Sequence, residues 1–216
     1  EGMVREAISC TGVENIVDED KSFDLFGEDF EKRLNAVKMP ITKFNALIKL
    51  LRKAIISYGR VNKIKSIEFD ERLRKVVELY NTRDKLVFTS EVVADFVNDL
   101  SDELIKIFKE LEIDKTSFKA MGISYEEKAF YDILVKVRDD HGFVFADEKC
   151  VSLAKKIKKL VDDKLQYADF FNREDIKNQL NMDLTVLLYK NGYPPEWDEE
   201  VFEKVMQQAE NFKKYN

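Results

Sequence analysis

The stretch from Tyr167 to Pro195 contains a start signal, an apolar stripe and a stop signal for one α-helix. Its apolar residues recur at the three- and four-residue steps of a helix with one buried face, namely Ile176, Leu180, Leu184, Leu187 and Leu188. Asn172 is the predicted N-cap of this helix, because its side chain can accept a hydrogen bond from the first turn. Gly192, followed by two prolines, predicts the end of the helix, since proline cannot continue it. The stretch therefore predicts a buried helix, and it contains no catalytic motif.

The same apolar spacing recurs along most of the chain. Pro40 is expected in the first turn of a helix that runs to about residue 58 and ends at Gly59. Ser124 and Glu127 form an S-x-x-E capping box that opens another helix. With only 7 Gly and 3 Pro in 216 residues, few turns are available. We therefore predict an all-α fold, a single irregular helical domain of about eight helices over residues 31–216, preceded by an acidic lead over residues 1–30. The further helices are predicted over about residues 67–81, 90–112, 149–163 and 198–213.

The charge of the chain is unevenly distributed. The net charge of −6 argues against a protein that coats nucleic acid indiscriminately. From Lys32 to Ile67, however, there is no Asp or Glu, while there are ten basic residues: Lys32, Arg33, Lys38, Lys43, Lys49, Arg52, Lys53, Arg60, Lys63 and Lys65. Such a segment could neutralise DNA phosphates. The alternative is a solvated helix face that pairs with acids elsewhere in the fold, and the residues alone favour this alternative slightly.

The sequence gives little support for catalysis. It has no G-x-x-x-x-G-K-[ST] phosphate loop and no G-x-S-x-G, and its single histidine, His141, is expected to complement a helix dipole. The segment FVFADEK at residues 143–149 resembles the strand and D-x-K element of a metal-dependent nuclease, with Asp147 and Lys149 in the key positions. We favour the alternative that Asp147 is a helix N-cap, because no other strand is predicted to hold a second acidic ligand. Phe143–Phe145 is the only strand-like triplet.

The cysteines and the hydropathy bound the location of the protein. Cys10 and Cys150 are expected to be unpaired thiols in a reducing cytoplasm, and with one histidine they do not form a zinc motif, so no metal site is predicted. No apolar run approaches 18 residues, so no membrane span is predicted.

The first residues, Glu1-Gly2-Met3, suggest an excised fragment with a tag remnant before Met3. A second basic cluster, Lys155, Lys156, Lys158 and Lys159, is flanked by acids and is a weaker candidate for DNA contact.

Three stretches, IEFDERLRKVVELYNTR, MGISYEEKAFYDIL and the segment from Tyr167 onward, together resemble the C-terminal region of type I restriction enzyme motor (R) subunits. IEFDERLRKVVELYNTR at residues 67–83 resembles the family element F-x-E-R-L … Y-N-x-R, and MGISYEEKAFYDIL at residues 121–134 is similar to L-G-L-[ST]-x-E-E-x-A-F-Y-D-x-L. Residues 167–195, with VFEKVMQQAENF at residues 201–212, are similar to the family's final segment, which contains G-Y-P-P and Q-A-E. The likeness extends over about residues 67–213.

The resemblance implies a non-catalytic helical domain. In that family the whole subunit carries an N-terminal nuclease and two helicase-like ATPase lobes, so ATP and Mg²⁺ are implied for the parent subunit and no cofactor for this chain. The helical region is implicated in assembly with the methyltransferase and specificity subunits and in contact with double-stranded DNA. The runner-up function is a structural spacer that does not touch DNA, and a third possibility is a cryptic nuclease at Asp147 and Lys149.

The expected site residues fall into two groups. The DNA-facing group adds Arg173 and Lys177 to the basic segment, because an arginine is unfavourable at a helix N-terminus unless an anion faces it. Its members are Lys43, Lys49, Arg52, Lys53, Arg60, Lys63, Lys65, Arg173 and Lys177. The group expected to dock the methyltransferase core is exposed and apolar: Tyr193, Pro194, Pro195 and Trp197. For Trp197, a role as core filler is an equal alternative.

Overall fold

The structure, a computed structural model, describes residues 39–82, 90–167 and 170–215. These residues form seven α-helices and two short 3₁₀ helices, with no strand among them, so the predicted all-α fold is confirmed. The predicted lead over residues 1–30 lies outside the described residues. The α-helices are α1 (Pro40–Gly59), α2 (Lys63–Thr82), α3 (Ser90–Met121), α4 (Tyr125–His141), α5 (Asp147–Leu165), α6 (Glu174–Lys190) and α7 (Asp198–Tyr215), and the 3₁₀ helices are Phe170–Asn172 and Pro195–Trp197.

Two helices are longer than their apolar pattern predicts. α2 begins four residues early because Asn62 caps it, with its Oδ1 accepting a hydrogen bond from the backbone N–H of Lys65 at 3.2 Å. α3 continues to Met121 because no glycine or proline interrupts it before Gly122, which ends the helix with a φ of +65°. Helix ends are therefore decided here by capping residues more than by the end of the apolar stripe.

The predicted start of α4 is confirmed in detail. The Ser124 hydroxyl accepts a hydrogen bond from the backbone N–H of Glu127 at 3.1 Å, and the Glu127 carboxylate accepts one from the backbone N–H of Ser124 at 2.8 Å. This reciprocal pair satisfies two backbone donors that a free helix end would leave without partners. Gly142 ends the helix in the left-handed conformation. α4 is thus fixed at both ends by local sequence.

The chain is divided into two compact units, and the described part of the first comprises residues 39–54, 72–82 and 90–109. The apolar stripe of α1 faces inward here as predicted. The rings of Phe44 and Tyr80 are stacked, with centroids 4.2 Å apart. The buried apolar residues of the described part of this unit are Phe44, Ala46, Leu47, Leu50, Leu51, Ala54, Leu73, Val76, Tyr80, Val97, Leu100, Leu104, Ile107 and Phe108.

The second unit comprises residues 55–71 and 110–216. Its core is built from α4 to α7, and α6 contributes the four residues Ile176, Leu180, Leu184 and Leu188 of the predicted stripe. Gly192 follows α6 with a φ of +74°, which a side chain would disfavour, so the predicted glycine stop is confirmed. Phe130 of α4 meets Phe212 of α7 edge to face at 5.9 Å.

The connection between α1 and α2 is held by the last helix, within the second unit. The Gln208 side chain accepts from the backbone N–H of Lys63 at 2.9 Å and donates to the carbonyl of Val61 at 3.0 Å. Asn211 donates to the carbonyls of Gly59 and Arg60 at 2.8 and 3.0 Å. A Cβ on Gly59 would lie 2.9 Å from the Ser66 hydroxyl, so the glycine permits this close approach. None of the helices within the described ranges is long and apolar enough to cross a membrane.

Candidate nucleic-acid interface

Three cations of the predicted basic segment share one exposed face of α1. Lys49, Arg52 and Lys53 are spaced i, i+3 and i+4, which places them on one side of a helix, and all three are exposed. None of them has an ion-pair partner among the described residues. Lys43, in the first turn of α1, is half-buried. The face of Lys49, Arg52 and Lys53, here called the α1 cationic face, therefore presents positive charge that the described residues do not neutralise.

Lys32, Arg33 and Lys38 lie outside the described residues, and the last three basic residues of the segment, Arg60, Lys63 and Lys65, belong to the second unit. Arg60 is exposed, and its guanidinium carbon lies 5.5 Å from the ring centroid of Tyr215. Lys63 and Lys65 were expected in a link, but the cap at Asn62 places both in the first turn of α2, where they are half-buried. The Lys65 ammonium donates to Glu68 at 2.8 Å, so its charge is offset locally.

Arg173 and Lys177 are also paired with nearby acids. Arg173, not Asn172, is the N-cap residue of α6, and its side chain makes no capping hydrogen bond. The prediction of Asn172 as the cap was wrong, because residues 170–172 form a 3₁₀ turn that places the helix start one residue later. The Arg173 guanidinium binds Asp175 in two hydrogen bonds and holds its pKa below the usual range, and Lys177 pairs with Glu174 at 3.0 Å.

Tyr193 is a core residue, so its predicted exposure was wrong. The side chain is 1% exposed, and its hydroxyl donates to the backbone carbonyl of Leu134 at 2.9 Å. The rings of Phe143 and Phe145 meet it edge to face at 5.2 and 5.0 Å. Burial raises the pKa of the phenol. The helix ends at Lys190, before the two prolines, and the Tyr193 ring turns inward.

Trp197 packs partly against the core, consistent with the alternative that it fills space. Its ring stacks on His141 with centroids 3.4 Å apart, and it lies beside the apolar core of the second unit. The Nε2 of His141 lies 2.7 Å from the carboxylate of Glu200. Burial opposes ionisation of Glu200, but hydrogen bonds from His141 and Lys204 lower its pKa overall. Of the predicted docking residues, Pro195 is exposed and Pro194 is half-buried.

The nuclease-like segment has a structural role in this fold. Residues 143–146 form no strand, and α5 begins at Asp147 with Ala146 at the N-cap position, so the predicted cap was misplaced by one residue. Arg138 donates to the Phe145 carbonyl at 3.0 Å and also binds the Asp147 carboxylate, fixing the connection from α4 to α5. Lys149 lies above the Phe145 ring at 5.7 Å.

Cys150 is buried, and three lysines of the second cluster have hydrogen-bond or ion-pair partners. Burial raises the pKa of the Cys150 thiol to about 11, while Cys10 lies outside the described residues. In the cluster, Lys155 donates to the Gly122 carbonyl at 3.3 Å, Lys156 to the Asn191 side chain at 2.6 Å, and Lys158 pairs with Glu126 at 2.8 Å. Over the described ranges, no group of three or more His, Cys, Asp or Glu side chains is placed to hold a metal ion.

A buried polar network, absent from the sequence predictions, joins α1, α3 and α4 inside the second unit. The Lys128 ammonium donates to both oxygens of Asp132, at 2.7 and 2.6 Å, and to Asp114 at 3.1 Å. Asn62 donates to Asp132 at 2.6 Å and to the Tyr58 hydroxyl at 3.4 Å, and that hydroxyl donates to Asp114 at 2.6 Å. The sequence feature that could have revealed this network is the i, i+4 spacing of Lys128 and Asp132 beside the apolar stripe of α4.

The burial of this network shifts the pKa values of Asp132 and Tyr58. Removal from water raises the pKa of Asp132 to about 6, and the Asp114 charge adds to that rise, while Lys128 opposes it. Burial and the neighbouring Asp114 raise the pKa of Tyr58, so its hydroxyl remains a donor. Every side-chain polar atom of the network that lies in the interior has a hydrogen-bond partner. The arrangement ties α1, α3 and α4 to one another within the second unit.

Comparisons with known proteins agree with the resemblance seen in the sequence. The family described as type I restriction enzyme HindI endonuclease subunit-like, C-terminal, matches residues 1–215. The HindI endonuclease subunit of Haemophilus influenzae is 25% identical over 215 residues, which are 96% of this chain and 19% of that protein. A protein of Methanocaldococcus jannaschii named for the endonuclease subunit of the MjaIXP type I restriction enzyme is 28% identical over 149 residues, or 68% of this chain and 13% of that protein.

The chain thus spans less than a fifth of the length of these two relatives. No solved structure matches it significantly. The family match, in contrast, extends over nearly all of the 216 residues and confirms the resemblance. The chain therefore belongs to the family of C-terminal regions of HindI-like type I restriction endonuclease subunits.

Proposed function

We propose that this chain is a non-catalytic domain of a type I restriction endonuclease subunit, which helps to assemble the subunit with its methyltransferase and specificity partners and contacts double-stranded DNA. Family membership supports the class of enzyme. Because the sequence has no phosphate loop, we place the ATP and Mg²⁺ sites of the whole subunit outside this chain. The interior position of the polar network and the structural role of Asp147 support the absence of a reaction centre here.

The α1 cationic face carries the proposal of DNA contact. Lys49, Arg52 and Lys53 follow one another along about one helical turn and are exposed, without ion pairs among the described residues. Cations that bind phosphates release condensed counterions, so such contacts strengthen binding and make it sensitive to salt. Local pairing of Lys65, Arg173 and Lys177 with Glu68, Asp175 and Glu174 makes these three weaker candidates.

The test neutralises the α1 cationic face in the assembled enzyme complex. In Lys49→Gln/Arg52→Gln/Lys53→Gln, we expect weaker DNA binding and a shallower dependence of log Kd on log salt, by roughly 0.9 for each lost phosphate contact. Fluorescence anisotropy with a duplex at several salt concentrations measures both. An unchanged affinity and an unchanged slope would remove this face from the DNA interface.

A matched control separates a local effect from net charge. Lys75→Gln/Lys106→Gln/Lys190→Gln removes the same number of positive charges from exposed positions on three different helices, outside both basic clusters. We expect it to leave the salt slope at its wild-type value. If the control weakens binding as much as the α1 variant does, a general loss of positive charge explains both results.

A structural spacer without DNA contact is the second candidate, and the locally balanced charges of Arg173 and Lys177 favour it. Analytical size exclusion with the methyltransferase–specificity core, with and without duplex DNA, separates the two functions. Co-elution without DNA supports an assembly role, and co-elution only with DNA at low salt supports phosphate contact. No co-elution under either condition would leave the spacer as the better account.

A further inference from the structure

Helix α6 has an apolar stripe on the face that points away from its own core. Met182, Val186 and Tyr189 are 70%, 49% and 72% exposed. They are spaced i, i+4 and i+7, so they line one side of the helix over two turns. The buried stripe of α6, Ile176 to Leu188, occupies the other side. Three large apolar side chains in this register form a surface that suits packing against another helix.

The stripe is limited in size. The N-terminal part of the same exposed face is polar, with Asp175, Asn178 and Gln179, and Lys190 follows the stripe at the other end. An apolar patch of this kind covers on the order of a few hundred Å². A stable complex between separate chains buries about 800 Å² on each partner. The stripe is therefore too small to hold a second copy of this chain or a free protein partner by itself.

A segment of the same polypeptide can bind with a smaller buried area, because its tether raises its effective concentration to about the millimolar range. The relatives that match this chain are more than five times as long, since the chain spans 13% and 19% of them. A longer chain of this kind has ample sequence to supply a helix with apolar residues at three- and four-residue spacing. The size of the stripe and the length of the relatives both favour a helix of the same longer polypeptide as the occupant of the stripe.

We propose that the stripe of Met182, Val186 and Tyr189 is an intramolecular docking surface that packs against an apolar helix face in the rest of the longer endonuclease subunit. This inference rests on the proposed function, in which the chain is one domain of such a subunit. The contact would position the domain relative to the remainder of the subunit. The α1 cationic face takes no part in it.

The test places a photo-reactive p-benzoylphenylalanine at Tyr189 of the complete subunit, where an aromatic side chain already stands. After irradiation and digestion, mass spectrometry should identify cross-links to a segment of the same polypeptide outside these 216 residues. Their yield should not depend on protein concentration. Met182→Glu/Val186→Glu should lower that yield at least tenfold, whereas Val144→Glu, at a residue that is 100% exposed, should leave it unchanged.

The position of Gln179 provides the matched probe, because it is exposed on the polar end of the same face. Equal cross-linking from Gln179 and Tyr189 would overturn the proposal. So would cross-links that join two copies and increase with concentration, or cross-links to the methyltransferase or specificity subunits. A subunit that assembles and binds DNA without the intramolecular cross-link refutes this inference alone. A subunit that shows the cross-link but neither assembles nor binds DNA refutes the proposed function alone.

Discussion

The ammonium of Lys128 and the carboxylate of Asp132 lie 2.6 Å apart on successive turns of α4, and their side chains are only 6% and 3% exposed. Lys136 and Asp140 have the same i, i+4 spacing further along the same helix, but their side chains are 33% and 40% exposed. One helix thus carries two chemically matched ion pairs in different surroundings. Their comparison isolates the effect of burial.

Loss of the buried cation should destabilise the fold strongly. Lys128→Met removes the partner of Asp132 and leaves two carboxylates, Asp114 and Asp132, near each other, so we expect a loss of about 3–5 kcal/mol in the free energy of unfolding. Lys136→Met removes the same chemical group from the exposed pair and should cost less than about 1 kcal/mol. Urea denaturation of the two variants at pH 7 measures the difference. Equal losses would show that burial does not govern this pair.

The raised pKa of Asp132 predicts a pH dependence with a definite sign. Its folded-state pKa of about 6 exceeds the ordinary value of 3.8, so the folded protein binds this proton more readily than the unfolded chain. The resulting stability is fully present below about pH 4 and is lost as the pH rises through about 6. Relative to Asp132→Asn, the wild type should lose roughly 2 kcal/mol of unfolding free energy between pH 4 and 7. A difference that stays constant over this interval would contradict the prediction, and the comparison cancels the carboxylates that do not interact with Asp132.

Gly59 should tolerate a methyl group poorly, because a Cβ there would lie 2.9 Å from the Ser66 hydroxyl and 3.2 Å from its Cβ. Gly59→Ala should lower the free energy of unfolding by about 1–2 kcal/mol. In a Ser66→Ala background the same change should cost less, since the nearer atom has been removed. Gly122→Ala serves as the control: nothing lies within 4 Å of its Cβ, so its cost comes from the φ of +65° and should not depend on Ser66. A double-mutant cycle by thermal denaturation measures the coupling.

Tyr193 should behave as a core residue. Tyr193→Ala should cost about 3–5 kcal/mol of stability because it leaves a cavity, and Tyr193→Phe about 1 kcal/mol because it removes one hydrogen bond. Tyr189, which is 72% exposed, provides the comparison, and Tyr189→Ala in this chain should change stability by less than about 0.5 kcal/mol. Equilibrium denaturation checks all three. If the free energy of unfolding of Tyr193→Ala equals that of the wild type, Tyr193 is not a core residue.

The sequence could predict the structural features that depend on residues close to one another in the chain. The helices follow from apolar spacing, and the start of α4 follows from Ser124 and Glu127, which are three positions apart. The burial of Tyr193 could not be predicted in this way, because it depends on Phe143 and Phe145, about fifty positions earlier in the chain. Pro194 and Pro195 indicated a turn after the helix, which ends at Lys190, but they do not determine where the Tyr193 ring points.

The sequence did not predict the buried polar network for the same reason, namely that its members are far apart in the chain. Asn62 and Asp132 are 70 positions apart, and a charged pair in a helix more often faces water than the interior. The α1 cationic face was easier to find, because Lys49, Arg52 and Lys53 are close in sequence and lack nearby acids. Whether those cations bind DNA depends on a partner, so this part of the site stays a prediction.

Gln208 and Asn211 hold backbone groups of residues 59–63 that the ribosome adds some 150 positions earlier. During synthesis, the connection between α1 and α2 therefore emerges long before the side chains that satisfy it. The second unit cannot complete this junction until its last helix has left the ribosome. A stop codon before residue 208 would consequently damage the beginning of the unit as well as its end, so the loss of Gln208 and Asn211 should act as a folding defect.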